Sequence, residues 1–291
     1  MARIYLHVDD FGLNEESSER ILECCRNGYL DGISVLVNGC FEKAFPEAGV
    51  SVRLHLNLVE GPCVSDKREL PLLVDERGYF KYSFMGLLLL VYSPRRKQAL
   101  EQIETELENQ LLAFCRYTGS SDIMVDSHQH FHMITPIFYA LLRVIDRNHL
   151  NVKAMRIPAE PLAPFLRHPS LYRTYRADNI MKNVLLNGCY LLIKKEVDRR
   201  HFQRDIFMGL MFSGRMKSQS ILKVLPDFVR LADRKQKSLE LLFHPGYILP
   251  QEGAPDSQKN DFLKFYYSEN RKEEAAILKS ESFYKRIKSY E

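Results

Sequence analysis

The feature that most constrains the fold of this chain is a regular alternation of short apolar segments with longer amphipathic ones. In the first segment, 3–8, Ile4, Leu6 and Val8 alternate with more polar neighbours, which is the two-residue period of a half-buried strand. Similar strand-like segments lie at 33–37, 52–58, 122–125, 152–157 and 238–243, and helical patterns lie at 15–27, 96–117, 136–147 and 218–235. Strands that alternate with helices in this way favour an α/β fold with a parallel sheet.

The organisation of the chain favours a single domain that spans residues 1–291. We find no internal repeat or linker, and a hydrophobic content of 45% supplies enough apolar side chains for one large core. The irregular segment at about 62–95 is too long for a simple connection, so we interpret it as an insertion. The segment from about 261 to 291 has the charge pattern of a helical tail.

Three histidines and an aspartate are concentrated directly after the strand-like segment 122–125. They are Asp126, His128, His130 and His132, and the chain has only nine histidines in all. Neutral imidazole is a common metal ligand, and divalent ions also take carboxylate oxygen. If the strand continued, the three histidines would point to one face, because side chains alternate along a strand. The cluster therefore predicts a divalent metal site, and it leaves open whether His130 or His132 also binds the ion.

Two other strand-like segments carry residues that suit the same chemistry. Asp9 and Asp10 follow the first strand directly, and paired carboxylates are costly to bury without a cation or hydrogen-bond donors. Asn14 is a better cap for the following helix, so neither aspartate is needed as a cap. We interpret the pair as ligand or acid/base candidates. His55 lies inside an apolar strand and is a further ligand candidate.

Polar residues of this kind lie at or near the carboxyl ends of five separate predicted strands. They are Asp9 with Asp10, His55, Asp126 with His128, Arg156, and His244. A (β/α) barrel brings the carboxyl ends of all its strands together at one functional face. An open doubly wound sheet would instead use one switch point, and no glycine-rich phosphate loop follows the first strand. The pattern therefore favours a barrel.

Several classes of protein are disfavoured by charge and apolar pattern. A net charge of +4 without a basic face argues against a nucleic-acid partner. The longest apolar runs, 84–92 and 184–193, are shorter than the about 20 residues that a membrane span needs. The start of the chain lacks a leader pattern, and the six cysteines form no CxxC pair, so we expect a cytoplasmic protein with reduced thiols. The run 84–92 is also a candidate homodimer contact.

The motifs together resemble those of the YdjC-like carbohydrate deacetylases, the family that includes chitooligosaccharide deacetylase. They follow the family's order over roughly residues 4–247. The stronger matches are Asp-Asp-Phe-Gly at 9–12, His-Leu-Asn-Leu-Val-Glu-Gly-Pro at 55–62, Asp-Ser-His-Gln-His-Phe-His at 126–132 and Arg-Ile-Pro at 156–158. The weaker ones are Gly-Tyr-Phe at 78–80, Gly209 with Ser-Gly at 213–214, and His-Pro-Gly-Tyr at 244–247.

The resemblance implies a distorted (β/α) TIM-like barrel that uses a divalent cation to remove acetyl groups from N-acetylated sugars such as chitobiose. By position it implies a set of site residues. The implied metal ligands are Asp10, His55 and His128, the implied general base is Asp9, the implied acid is His244, and Arg156 would orient Asp9 or the substrate. The family is described with Mg²⁺, whereas two imidazole ligands favour Zn²⁺. Residues 161–205 match no motif of the family, so the identity of the sugar stays open.

Two alternative functions remain at this point. The chain could be another metallohydrolase, either an amidohydrolase or a phosphoesterase, or a non-catalytic relative that binds sugar or metal. Amidohydrolase-type sites open with His-x-His after the first strand, whereas this chain has paired aspartates there. The presence of both Asp9 and His244 favours a catalytic protein over a binding relative.

Overall fold

The computed structural model describes residues 1–39, 49–248 and 268–291. The strands in this part of the chain are β1 (Ile4–Phe11), β2 (Gly32–Val35), β3 (Ser51–Leu56), β4 (Asp122–Ser127), β5 (Asn151–Met155), β6 (Ile206–Met208) and β7 (Leu239–Phe243). The helices are α1 (Glu15–Arg26), α2 (Phe84–Val91), α3 (Arg96–Thr118), α4 (Thr135–Arg147), α5 (Ala163–Leu166), α6 (Ala177–Arg200), α7 (Ser218–Lys235), α8 (Glu269–Leu278) and α9 (Glu281–Lys288). None of the helices in the described ranges is long and apolar enough to cross a membrane.

The described strands form one curled parallel sheet. Their order is β5-β4-β3-β2-β1-β7-β6, and every neighbouring pair is parallel. The two edges approach each other at Gln203, just before β6, where Met155 N–H donates to the Gln203 carbonyl at 3.2 Å and Gln203 N–H donates to the Lys153 carbonyl at 3.3 Å. The prediction of a single α/β domain with a distorted barrel is therefore confirmed, in the form of a curled sheet of seven described strands whose edges meet at this contact.

The strands separate an apolar outer face from a polar interior. In β3, Leu54 and Leu56 alternate with Arg53 and His55, and all four are buried. The leucines belong to the hydrophobic core, which includes residues of the surrounding helices, whereas Arg53 contacts Glu240 of β7. Because side chains alternate along a strand, this sequence places charged groups inside the barrel and apolar groups under the helices.

The segment at 62–95 packs against α3 through buried polar contacts. The Glu106 carboxylate accepts the backbone N–H groups of Val64 and Ser65, both at 2.9 Å, and the Gln102 side chain accepts that of Leu72 at 2.8 Å. Of the predicted tail at 261–291, residues 261–267 lie outside the described part, and α8 and α9 occupy most of the remainder. The described part of the tail, 268–291, is therefore packed onto the domain, and α8 contacts α1.

Candidate active site

Two adjacent carboxylates reach the cavity at the end of β1 because the strand geometry breaks there. Asp10 has a φ of 73°, and the register of β1 against β2 shifts between Val8 and Phe11. Neighbouring side chains point to opposite faces in a regular strand, and an irregularity of this kind redirects them. Asp9 and Asp10 both line the cavity although each is only 1% exposed. A left-handed aspartate costs about 1–3 kcal/mol, so contacts around Asp10 must hold it in place.

Asp10, His55 and His128 come together although they are far apart in the sequence. One ligand atom from each lies within 4.8 Å of those of the other two, and all three residues are buried. Asp10 Oδ1 lies 2.9 Å from His128 Nδ1 and 3.6 Å from His55 Nε2. One carboxylate oxygen with two imidazole nitrogens is a donor set that suits Zn²⁺ and similar divalent ions. These side chains therefore fit a divalent cation.

The second ring nitrogen of His55 is held by Asp126. The two residues pair across β3 and β4, and His55 Nδ1 lies 2.5 Å from Asp126 Oδ1. Asp126 Oδ2 accepts a hydrogen bond from Ser34 Oγ at 2.6 Å and lies 2.8 Å from Arg156 Nη1. A carboxylate that holds the distal nitrogen of a histidine fixes its orientation and is the usual partner of metal-binding histidines.

Arg156 links Asp9 to a charged network in the barrel interior. Its Nη1 donates to Asp9 Oδ2 at 2.6 Å, and its Nε donates to Glu240 Oε1 at 2.5 Å. Arg53 donates to the same Glu240 at 2.9 Å. The other oxygen of Asp9, Oδ1, is buried and has no hydrogen-bond partner among the described residues. Asp9 is therefore fixed through one oxygen while the second remains available to accept a proton.

The histidine cluster does not continue as a strand. β4 ends at Ser127, and His128–Met133 form a 3₁₀ turn in which Gln129 and His130 have φ values of 53° and 62°. The expectation that all three histidines share one strand face is therefore wrong. His132 contacts Ser127 Oγ through Nδ1, at 2.6 Å, and the Arg156 carbonyl through Nε2, at 2.9 Å, so both of its ring nitrogens have protein partners.

His130 lies apart from the candidate ligand group. It lines the cavity, its ring packs edge-on against Phe207, and its Nδ1 has no hydrogen-bond partner in the described ranges. Its ligand atoms do not fall within the group formed by Asp10, His55 and His128. The geometry thus favours three ligands from this chain, with His130 as a neighbour that faces the cavity.

A cavity of about 390 Å³ lies over these residues. One wall comes from α6, in the region that matched no motif, and another from the segment after β6. The lining residues are Asp9, Asp10, His55, His128, Gln129, His130, Asp178, Asn179, Lys182, Gly209, Leu210, Ser213, Leu242 and His244. The wall after β6 is fixed by the buried carboxylate of Glu160, which accepts the backbone N–H groups of Gly209, Leu210 and Met211 at 2.6, 3.0 and 2.8 Å.

Opposing electrostatic effects set the charge of the candidate ligands. Burial lowers the pKa of His55, but the charges of Asp9 and Asp126 outweigh it and raise the pKa to about 10. Burial likewise opposes protonation of His128, but Asp10 raises its pKa to about 9. The pKa of Asp10 is held well below its usual value, against the effect of burial, by His128. In the absence of a cation, the two imidazoles are therefore protonated at neutral pH.

His244 differs from the other two histidines. Burial lowers its pKa to about 4, although the charges of Asp10 and Asp9 act in the opposite direction. The imidazole of His244 is therefore neutral at pH 7. Its backbone N–H donates to Glu274 Oε2 at 2.7 Å, which fixes the start of the segment that follows β7.

Three residues that contact the candidate site were not assigned any role from the sequence. Glu60 Oε2 lies 3.1 Å from His128 Nε2, Arg271 Nη2 donates to Asp10 Oδ2 at 3.2 Å, and Glu274 binds the backbone of His244. Glu60 lies inside the motif at 55–62, so its position there was a usable signal. Arg271 and Glu274 lie in a charged helix without any local motif, so only the folded chain reveals their contacts.

A second group of potential ligands lies next to the first. His7, Asp9 and Asp126 also have ligand atoms within 4.8 Å of one another. Arg156 already contacts both carboxylates, at 2.6 and 2.8 Å. A cation placed there would be repelled by this guanidinium more strongly than in the first group, where Arg271 contacts Asp10 at 3.2 Å. The group formed by Asp10, His55 and His128 is therefore the better candidate metal site.

The comparisons with known proteins agree with the fold and the motifs. The family model described as YdjC-like protein matches residues 3–289. A carbohydrate deacetylase of Danio rerio is 27% identical over 279 residues, covering 87% of this chain and 85% of that protein, and one of Xenopus laevis is 26% identical, covering 94% and 89%. A crystal structure of a proposed cellobiose-phosphate cleavage protein from Enterococcus faecalis V583 has a TM-score of 0.67 at 18% identity, covering 99% of this chain and 95% of that one. The chain belongs to the YdjC-like protein family.

Proposed function

We propose that this protein is a metal-dependent carbohydrate deacetylase that hydrolyses the N-acetyl group of a chitobiose-like sugar. The observation that carries the proposal is the grouping of Asp10, His55 and His128 in one cavity with the carboxylate of Asp9. The relatives named carbohydrate deacetylase support the reaction class. The cavity volume of about 390 Å³ is within the usual range of small-molecule sites, about 300–1,000 Å³.

In the proposed mechanism, Asp10, His55 and His128 hold the divalent cation. When bound, the cation would act as a Lewis acid that polarises the acetyl carbonyl and lowers the pKa of water from about 16 toward about 7. Asp9 accepts the proton of the attacking water through Oδ1, because Arg156 holds its other oxygen. Arg156 therefore acts as the residue that orients the base.

His244 is the proposed proton donor to the leaving amine. Its neutral resting state means that it must first gain a proton, and the proton that Asp9 removes from water is a suitable source. The negative charge of Asp10, together with the one that Asp9 regains when it gives up the proton, favours this transfer. The nitrogen gains the proton as the C–N bond breaks, so the sugar leaves as a free amine and the acetyl group leaves as acetic acid, which ionises to acetate.

The decisive experiment is acetate release from di-N-acetylchitobiose by the purified protein, with and without a chelator and after return of Zn²⁺ or Mg²⁺. We expect acetate release that the chelator abolishes and the better-fitting ion restores. Release of phosphate or of a ring-opened acid from test substrates, without acetate, would favour the other metallohydrolases. Sugar binding without turnover under every metal condition would favour a non-catalytic relative.

Two variants separate the ligand role from the base role. His128→Ala should lose both bound metal and activity, because it removes a ligand. Asp9→Asn should keep the metal and lose about 10²-fold or more in kcat. His168→Gln is the matched control, because His168 contacts Asp227 at 2.9 Å and does not line the cavity. A fully active His128→Ala enzyme would contradict the ligand assignment.

We also propose that the enzyme is a cytoplasmic homodimer that pairs through α2. Met85, Leu89 and Tyr92 in and beside this helix are 50%, 69% and 57% exposed, so the helix presents three large apolar side chains to solvent. Light scattering should give twice the chain mass of 34.0 kDa, and Leu89→Glu should give one chain mass. A wild-type protein that scatters as one chain would refute the dimer, and recovery outside the cytoplasmic fraction would refute the location.

A further inference from the structure

The helix α8 buries two charged side chains that lie three residues apart. Arg271 is 1% exposed and Glu274 is 0% exposed, whereas the intervening Lys272 makes an exposed pair with Glu269. Charged side chains are rarely this buried unless they have specific partners. Both residues contact the candidate active site, Arg271 through Asp10 and Glu274 through the backbone of His244, so α8 is more than a covering element.

Arg271 divides the two oxygens of Asp10 between different partners. Its Nη2 donates to Asp10 Oδ2 at 3.2 Å, and its Nη1 donates to the Gly246 carbonyl at 2.6 Å. Asp10 Oδ1, in contrast, lies 2.9 Å from His128 Nδ1 and 3.6 Å from His55 Nε2. Only Oδ1 therefore faces the two imidazoles, while Oδ2 is taken by a guanidinium that the Gly246 carbonyl fixes in place.

Glu274 holds a second functional segment from the same helix. Its Oε2 accepts the His244 N–H at 2.7 Å. The segment after β7 is thus held at its start by Glu274 and at Gly246 by Arg271. One helix therefore positions both the candidate ligand Asp10 and the candidate acid His244. Because the left-handed backbone at Asp10 needs support from outside its own strand, the contact with Arg271 also helps to hold that backbone in place.

We propose that Arg271 is a positioning residue that restricts Asp10 to binding the cation through one oxygen, and that α8 in this way completes the active site. The inference rests on the proposed metal site. A carboxylate whose second oxygen is bound to a guanidinium cannot offer both oxygens to an ion, so a coordination position stays open for water and substrate. The positive charge of Arg271 also opposes cation binding. Arg271 therefore lowers the affinity of the site for the cation while it keeps one coordination position open.

This role predicts effects of opposite sign from those of a merely structural residue. In Arg271→Gln, the side chain keeps a donor but loses the charge, so Asp10 can turn both oxygens to the ion. Cation affinity should then rise about tenfold, because the repulsion is lost and a ligand oxygen is gained. A residue that only stabilised the fold would loosen the site on removal, and affinity would fall.

The experiment uses the full-length protein, with Co²⁺ as the probe. Affinity is measured by competition with a chromophoric chelator, and coordination is measured from the visible absorption, which is weaker when Co²⁺ has more ligands. The variants are Arg271→Gln, Arg271→Lys, which keeps the charge, and Lys272→Gln, which removes a charge from the same helix outside the site. We expect tighter binding and weaker absorption only for Arg271→Gln, together with a lower kcat at an unchanged KM.

Each outcome decides the question. Unchanged or weaker Co²⁺ binding by folded Arg271→Gln overturns the proposal. If that variant does not fold, Arg271→Lys decides the question. A lower kcat with a Co²⁺ affinity within about threefold of wild type supports the positioning role, and an unchanged kcat overturns the proposal. Failure of the wild-type protein to bind Co²⁺ would refute the proposed metal site itself, which is a distinguishable result.

Discussion

Binding of a divalent cation should displace protons from the candidate ligands. A histidine must be neutral to bind a metal ion. The pKa values of His55 and His128, about 10 and about 9, mean that both imidazoles carry a proton at pH 7. The perturbation is therefore addition of Zn²⁺ to the metal-free protein, and the expected release at pH 7 is about two protons per ion from the imidazoles, in addition to what a zinc-bound water gives up.

The same pKa values predict how the release changes with pH. Above pH 9, the release from the imidazoles should fall, because His128 and then His55 are already deprotonated in the metal-free protein. Histidines with ordinary pKa values near 6.5 would together release less than one proton at pH 7. The difference between these two cases is large enough to measure directly.

Isothermal titration calorimetry in buffers of different ionisation enthalpy measures the number of protons released. The slope of the observed enthalpy against the ionisation enthalpy gives that number at each pH. The control is His168→Gln, which changes a histidine outside the site and should leave the slope unaltered. A slope below one proton at pH 7 in the wild-type protein would refute the charge state that we assign to His55 and His128.

Three further predictions follow from particular contacts. The metal-free protein should lose stability as pH rises from about 6.5 through 10, because His55 and His128 have raised pKa values and their stabilisation is lost as they deprotonate. Thermal unfolding in the presence of a chelator measures this loss, and a melting temperature that stays constant over this pH range would contradict the prediction. Asp126→Asn should weaken Zn²⁺ binding about 10–100-fold, because it removes the carboxylate that orients His55. Competition titration measures the Zn²⁺ affinity, and a variant that binds as tightly as the wild-type protein would contradict the prediction. Glu160→Gln should lower the free energy of unfolding by about 1–3 kcal/mol and raise KM more than it changes kcat, because an amide nitrogen cannot accept hydrogen bonds from the N–H groups of the segment at 209–211. Urea unfolding measures the stability and steady-state kinetics measure KM and kcat, and an unchanged free energy of unfolding would contradict the first effect.

Much of the fold could be predicted because its strands carry local patterns. The alternation of Leu54 and Leu56 with Arg53 and His55 identifies β3 and also shows which side chains enter the barrel. The short strand β6 has only three residues, Ile206–Met208, and its sequence runs on into further apolar residues up to 212. Three residues are too few to display a period, so the edge of the sheet was the least predictable part of the fold.

The candidate site also has a part that local sequence patterns predict and a part that they do not. Asp10 and His55 lie near the carboxyl ends of β1 and β3, and His128 directly follows β4. The carboxyl ends of parallel strands meet at one edge, so the approach of these three residues was predictable. The left-handed backbone at His130 was not predictable, because no glycine marks it. Nor was the contact between Arg271 and Asp10, which joins residues 261 positions apart and depends on how the last helices pack.

The fixed charges in the barrel explain why protons and a cation can replace each other. Within the described residues, ion pairs connect five carboxylates and three guanidiniums into one network, which also includes His55 and His128. The carboxylates are those of Asp9, Asp10, Glu60, Asp126 and Glu240, and the guanidiniums are those of Arg53, Arg156 and Arg271. This network lacks two positive charges, and either two imidazolium protons or one divalent cation supplies them. If a divalent cation binds there, exchange of two protons for one ion should make the apparent affinity rise about a hundredfold per pH unit below pH 9. Cation affinities that stay constant between pH 6 and 8 would show that the network is balanced in some other way.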